Sequence, residues 1–413
     1  MIKIKTNRSH LNAINPYVYG IKDGFCTDSR YVAFEPNKKK IMKLKRLFIK
    51  LITVILLILI NTTVYPCTTF VLQQEKKIVF GRNLDWMTGY GLIITNPRNI
   101  KKTALVDPSE KPIQWISKYG NMTFNQLGRD LPYGGMNEAG LVVEHMTLEE
   151  TEYPTKDNRY AINAFQWIQF QLDNFSKVEE VLNSDTLLRI VDATSKIHFL
   201  ICDRYGNVAT IEYLHGKTVI HYQDSLPITV LANNTYDRSL TCYKLEENTD
   251  FDRSLYNFCT AANTIQNFQE SSNDSLVENA FRILNSINLE YWTKWSIVYD
   301  ISDMKIYFKI FETPTIRGDE KIFTKPAGQA DLKSVDFKNF SFNCRENIKV
   351  FNLNGIQSGE VDNLFLNYST EINKKYIAQS FKFFKDWGFL MNIDSEIIDY
   401  LAKYPESFIC FDD

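Results

Sequence analysis

The sequence predicts an α+β fold in which antiparallel sheets carry helices on their outer faces. Three observations carry this expectation. Hairpin signals recur: β-rich runs at 67–74 and 77–84 flank the charged turn Glu75-Lys76, and runs at 195–201 and 207–213 flank Asp203-Arg204-Tyr205-Gly206. The order is strands, helix, strands, helices, strands, without the regular alternation of a doubly wound parallel sheet. Aromatic residues make up 14% of the 413 residues, with 28 Phe and 22 Tyr, which suits a sheet-rich core and argues against disorder.

The remaining elements follow in order. Runs at 91–95 and 103–106 read as strands, and 134–146 as a Gly-rich turn leading into a strand. Ala161, Ala164, Phe165, Ile168, Leu172 and Phe175 recur at helical spacing and predict a helix over 160–184. Strands are expected at 217–222 and 227–232, helices at 253–271 and 274–287, and a hairpin at 295–300 and 304–311. Asn367 to Phe389 is polar and aromatic at helical spacing, and 394–403 reads as a short helix. The division is thus a leader over 1–66, a main domain over 67–345 and a small helical C-terminal extension over 346–413.

The net charge of −2 conceals an asymmetry. Residues 1–66 hold twelve Lys/Arg against three Asp/Glu, leaving 35 against 46 for residues 67–413. An acidic main body excludes nucleic acid as an expected partner, because phosphate neutralisation needs a basic surface. Residues 42–66 join a basic start, the apolar run Leu51 to Ile60 and a short polar exit, which is the pattern of a signal peptide. With Lys50 limiting the run, it is too short to span a bilayer comfortably, so contact with membrane is expected only through the leader. Residues 1–41 lack apolar periodicity and read as an over-long gene start ahead of Met42. Tyr65-Pro66 suits neither a small-residue signal-peptidase site nor a lipoprotein site, so a leader clipped, or self-clipped, before Cys67 fits best.

Seven cysteines (26, 67, 202, 242, 259, 344, 410) form no Cys-x-x-Cys pair and no zinc spacing with the five histidines, so no metal or cofactor is expected. One or two disulfides are compatible with an oxidising compartment. Cys67 differs from an ordinary buried thiol because removal of the leader puts a free α-amine on the same residue. That amine has a pKa of about 7.7–8.0, near ambient pH, so one residue supplies nucleophile and general base together. Arg82 and Asp85 lie at the end of the second hairpin strand, where the chain returns towards Cys67. An arginine there favours the thiolate and an aspartate can hold the amine, although by spacing alone the two read as a surface ion pair.

Cys67-Thr68-Thr69-Phe70 followed by Gly81-Arg82-Asn83-Leu84-Asp85-Trp86 resembles the choloylglycine hydrolase and penicillin V acylase family, N-terminal-nucleophile (Ntn) hydrolases of linear amides. The resemblance continues through Gly135-Met136-Asn137-Glu138-Ala139-Gly140-Leu141, Val230-Leu231-Ala232-Asn233-Asn234 and Trp295-Ser296-Ile297-Val298-Tyr299-Asp300, covering roughly 67–312. It implies a four-layer αββα sandwich, with Cys67 as nucleophile and base and Arg82 and Asp85 as the active-site arginine and aspartate. It also implies Asn233 as oxyanion donor, a role typically worth about 2.7–4 kcal/mol; without the family context Asn233-Asn234 reads as a turn. Two positions depart from the pattern. Thr147 stands where relatives carry the longer Asn or Tyr, and Asn257 stands where they carry an arginine, with Arg253 one helical turn earlier. All three are candidate oxyanion or substrate contacts.

The resemblance thus implies an exported amidase, periplasmic or secreted, acting on a small N-acyl amide such as a bile-salt conjugate, penicillin V or an acyl-homoserine lactone through a thioester. It implies a homo-oligomer as well. The alternative, motivated by Asn257 and Thr147, is a catalytically lapsed envelope binding protein on the same scaffold.

Overall fold

Two strands open the described part of the chain. β1 (Thr68–Gln74) and β2 (Lys77–Asp85) pair antiparallel in the register Thr68↔Asn83, joined by a tight turn with Glu75 at positive φ. The computed structural model describes residues 66–192, 195–268, 275–311, 315–317, 320–322, 330–355, 357–386 and 394–411. The expected signal peptide and the segment before it, Pro66 excepted, therefore lie outside the described residues, as do the expected helical positions 269–271, 274 and 387–389.

The fold is the α+β sandwich that the sequence predicts. One sheet of seven strands runs Val230–Leu231, β1, β2, Thr293–Asp300, Lys305–Ile310, Leu332–Asp336, Gly359–Glu360, antiparallel except for the last pair. A second, of nine strands, is antiparallel throughout. It runs Lys217–Tyr222, Val208–Leu214, Ile197–Cys202, Val142–Thr147, Pro132–Asn137, Asn121–Asn125, Leu92–Asn96, Lys349–Asn352, Leu366–Asn367. The inner faces meet in a continuous apolar core, in which Phe124 of the second sheet lies edge-on to Tyr299 and Phe308 of the first. Burial of this kind is the dominant stabilising term, about 25 cal/mol per Å² of apolar surface.

Seven helices complete the described structure: α1 (Ala164–Asn174), α2 (Val178–Asn183), α3 (Tyr236–Lys244), α4 (Arg253–Gln266), α5 (Leu276–Ser286), α6 (Thr370–Asp386) and α7 (Ser395–Lys403). The first packs on the nine-stranded sheet, where Trp167 stacks on Phe199 at 4.2 Å. The fourth and fifth lie over the seven-stranded sheet; Phe258, Ala261 and Leu284 enter its core.

Several elements differ from the sequence expectation for identifiable reasons. The helix expected over 160–184 is a strand, Tyr160–Ile162, and two helices. Asn163 starts the first by accepting the Gln166 N–H at 2.9 Å. At Ser176 and Lys177 the backbone N–H groups donate to the Glu180 carboxylate at 2.8 and 3.0 Å, which starts the second. The strand expected at 103–106 lies at Ile100–Thr103. It contains Lys102, whose buried ammonium pairs with Asp130 at 2.7 Å and Asp173 at 2.8 Å and so breaks the apolar pattern. Asn121–Asn125 was not anticipated because every second residue is polar: Met122 and Phe124 enter the core between the sheets, whereas Asn121 and Thr123 lie on the other face, where Asn96 Nδ2 of the neighbouring strand donates to Asn121 Oδ1 at 3.0 Å and to Thr123 Oγ1 at 2.9 Å.

The segment expected as a helical C-terminal extension carries α6 and α7 and also supplies strands to the body. Lys349–Asn352 pairs with Leu92–Asn96, and Ile409–Cys410 pairs with Ile100–Thr103. A disulfide between Cys344 and Cys410 closes the loop that contains both helices.

Candidate active site

Cys67 sits at the start of β1 and is 4% exposed. The β1–β2 register carries it past Asn83 to the end of β2, where its thiol lies 3.7 Å from the Asp85 carbonyl oxygen. Burial pushes the thiol up to about 11, against the lowering effect of the Arg82 guanidinium. At neutral pH the sulfur is therefore a neutral thiol, and its activation needs a base.

Alternation along β2 divides the functional residues between two faces. Arg82 points into the space between the sheets, where its Nη1 pairs with Glu144 of Val142–Thr147 and also donates to the Tyr133 carbonyl at 3.4 Å. Asn83 points the other way, to the Leu284 carbonyl of α5 at 2.9 Å. Arg82 and Glu144 are both wholly buried, so the surface ion pair that spacing alone suggested for Arg82 and Asp85 is not what forms. Burial alone would lower the guanidinium pKa, but Glu144 and the Cys67 side of the pocket raise it. The Arg82 Nε and Nη2 atoms have no oxygen acceptor.

Asp85 is also fully buried. Its Oδ1 accepts from the Thr293 hydroxyl, whereas Oδ2 has no hydrogen-bond partner. Burial pushes this carboxyl up to about 7, partly countered by Thr293 and by the positive charge of Arg253. An acceptor oxygen is thus held beside Cys67 at the end of the strand pair.

Asn233 follows Val230–Leu231, which pairs with β1. Its backbone N–H donates to the Ser254 hydroxyl of α4 at 2.8 Å, and its Nδ2 donates to the Thr147 carbonyl at 2.7 Å. Thr147 thus meets Asn233 through its backbone, whatever its side-chain length. Asn257, on the buried face of α4, donates from Nδ2 to the Pro66 carbonyl and to the Thr68 hydroxyl, both at 3.2 Å. It brackets Cys67 on either side. Arg253 is exposed, with its guanidinium 4.4 Å over the Tyr256 ring; only its charge reaches Asp85. The structure therefore gathers Cys67, Arg82, Asp85, Asn233, Thr147 and Asn257, and leaves Arg253 outside.

Cys67 lies at the wall of a cavity of about 560 Å³ lined mainly by apolar groups, among them Trp86, Leu131, Tyr133, Phe165 and Phe384. His145 also lines it; burial lowers that imidazole to about 3, so the ring is neutral. Sequence reasoning did not single out Glu144, Tyr133, His145 or the C-terminal aromatic residues. A signal for Glu144 was present, a carboxylate inside the apolar strand Val142-Val143-Glu144-His145-Met146. For the C-terminal residues none was.

Residues 67–250 match the family model of linear amide C-N hydrolases, choloylglycine hydrolase family. The chain resembles that family. It is 29% identical over 197 residues to the penicillin V acylase of Pectobacterium atrosepticum, an alignment covering 42% of this chain and 51% of that protein. The chain thus spans about half the length of this curated relative. Among solved structures, penicillin V acylase from Agrobacterium tumefaciens superposes with a TM-score of 0.61 at 24% identity, covering 73% of this chain and 98% of the other. A variant of conjugated bile acid hydrolase from Clostridium perfringens gives 0.56 at 19% identity, covering 71% and 98%. At these identities the two structures show a shared fold, the four-layer αββα sandwich.

Proposed function

We propose that the mature protein is an exported N-terminal-cysteine amidase that hydrolyses the linear amide bond of an N-acyl substrate. The observation that carries this reading is the juxtaposition at the end of β1 and β2. A buried thiol, a buried guanidinium and an unpartnered carboxylate oxygen meet there beside an apolar cavity. The match of residues 67–250 to linear amide hydrolases supports the reaction class.

In this mechanism cleavage before Cys67 frees its α-amine. Asp85 Oδ2 accepts a hydrogen bond from that amine and orients it. The neutral amine takes the thiol proton as the sulfur attacks the substrate carbonyl carbon. Arg82 favours negative charge on sulfur, and the Asn233 carboxamide, held by Thr147, donates to the developing oxyanion. The C–N bond breaks, the leaving amine takes the proton, and water then hydrolyses the thioester and restores the thiol. The apolar cavity suits an acyl group such as that of a bile-salt conjugate, penicillin V or an acyl-homoserine lactone. The test joins N-terminal sequencing with a panel of such amides. A mature chain beginning at Cys67 and loss of turnover in Cys67→Ala support the reading. Turnover that survives this substitution refutes it.

A further inference from the structure

Part of the cavity wall lies outside the family-matched residues, in the C-terminal segment. Residues 67–250 match the family model, yet Phe381 and Phe384 of α6 and Leu401 of α7 line the same cavity as Cys67. These side chains join Met87, Leu105 and Leu131 in one apolar cluster. Phe384 meets Trp86 edge-on at 6.3 Å, one residue beyond the Asp85 that ends β2. We propose that α6 and α7 form the acyl-recognition wall of this site, and that Phe384 with Leu401 sets which apolar acyl groups it takes. The inference rests on the amidase reading for the reaction and names the class of substrate: amides of a long aliphatic or aryl-substituted acid.

The wall is fixed at several points. The Arg129 backbone N–H donates to Asn373 Oδ1 of α6 at 3.0 Å, and Asn373 Nδ2 donates to the Ala402 carbonyl of α7 at 3.2 Å. Just beyond α7, the Tyr404 hydroxyl bonds the Thr103 carbonyl and accepts from Gln166 at 2.8 Å. The Cys344–Cys410 disulfide and the pairing of Ile409–Cys410 on Ile100–Thr103 then return the chain to the body. A helical pair tied in this way presents a preformed surface, and preformed apolar surface is what discriminates acyl groups by size and shape. Discrimination by apolar contacts is modest per group, roughly tenfold or more for each methylene or ring gained or lost.

The test uses acetyl, hexanoyl and decanoyl amides of one fluorogenic amine on the mature protein. In Phe384→Ala and in Leu401→Phe, the ratio of kcat/KM for decanoyl to acetyl should shift by at least about tenfold, one by emptying the wall and the other by filling it. Phe384→Leu keeps an apolar side chain and should give a smaller shift, which guards against a folding failure in the alanine variant. A parallel measurement separates this inference from the amidase reading: binding of a dansylated long-chain fatty acid to Cys67→Ala, with and without Phe384→Ala. Should the fluorogenic amides go uncleaved while Phe384→Ala weakens dansyl-acid binding about tenfold, the wall stands and the reaction assignment falls. An unshifted ratio in folded variants, or unchanged dansyl-acid binding, overturns the proposal.

Discussion

Replacing Glu144 by glutamine tests whether the Arg82 guanidinium is held by its buried partner. The carboxylate lies wholly inside the sandwich, accepts the Tyr299 hydroxyl at 2.5 Å through Oε1 and pairs with Arg82 through Oε2. Glutamine preserves the volume and one acceptor oxygen but leaves the guanidinium without a counter-charge. Breaking a buried pair from one side costs about 3–5 kcal/mol, because the remaining ion is uncompensated. Removing both charges, as Arg82→Met with Glu144→Leu, should return at least half of that loss, since apolar side chains of similar volume are tolerated where an ion pair stood. Urea unfolding of the wild type, Arg82→Met, Glu144→Leu and the double variant, at one pH above about 7 where Glu144 is ionised, closes the cycle, with Glu144→Gln measured alongside. Turnover should fall by at least about tenfold in Glu144→Gln, because a displaced guanidinium no longer faces the sulfur. A loss of stability below about 1 kcal/mol in Glu144→Gln, with Arg82 in place, would refute the claim that the pair is desolvated and structural.

Three other outcomes follow from the same arrangement of residues. Burial raises the Asp85 and Glu144 carboxyls from 3.8 and 4.5 to about 7 each, so the folded state binds their protons more tightly than the unfolded chain does. Their contribution to stability is therefore full below about pH 4 and lost as pH rises through about 7. The fall in urea midpoint across that window should be shallower in Asp85→Asn, and an identical slope would count against the raised carboxyl. Opening the Cys344–Cys410 bridge with Cys344→Ser releases a loop of 66 residues and should cost up to about 4 kcal/mol, read from the urea midpoint; an unchanged midpoint would mean that the bridge constrains nothing. Asn257→Ala removes the donor to the Pro66 carbonyl and should slow release of the residues ahead of Cys67 by at least about tenfold, followed by N-terminal sequencing over time. Release at the wild-type rate would show that Asn257 does not hold that peptide.

How much of this was legible beforehand depended on whether side chains followed their periodicity. The hairpin of β1 and β2, the strands Val208–Leu214 and Thr293–Asp300, and the helices α4, α6 and α7 all carry alternation or helical spacing of apolar residues, and all lie where the sequence places them. Asn121–Asn125 and Ile100–Thr103 escaped because they bury amides, hydroxyls and a lysine that are satisfied by distant partners. Such satisfaction is a tertiary property, and a local window does not contain it. The same holds within the site. The order of motifs gives Cys67, Arg82, Asp85 and Asn233. That Arg82 pairs with Glu144, 62 residues away, and that Phe384 reaches the cavity, depend on how the two sheets and the last helices stack.

The placement of the reactive groups rests on two cross-strand pairs in which a large side chain lies over a glycine. In the first, Phe70 of β1 faces Gly81 of β2, and a Cβ on Gly81 would lie 2.4 Å from the phenyl ring. In the second, Glu144 faces Gly134, where a Cβ would lie 2.0 Å from the carboxylate. Each glycine makes room for one residue and fixes which residue stands opposite. A shift of one position in the first pair would turn Arg82 towards the helices and Asn83 into the interlayer, since side chains alternate with period two. The same shift in the second would withdraw Glu144 from the guanidinium. The two registers must therefore hold together for Cys67 to face a paired arginine, and the Gly81 and Gly134 positions contribute to the chemistry without touching the sulfur.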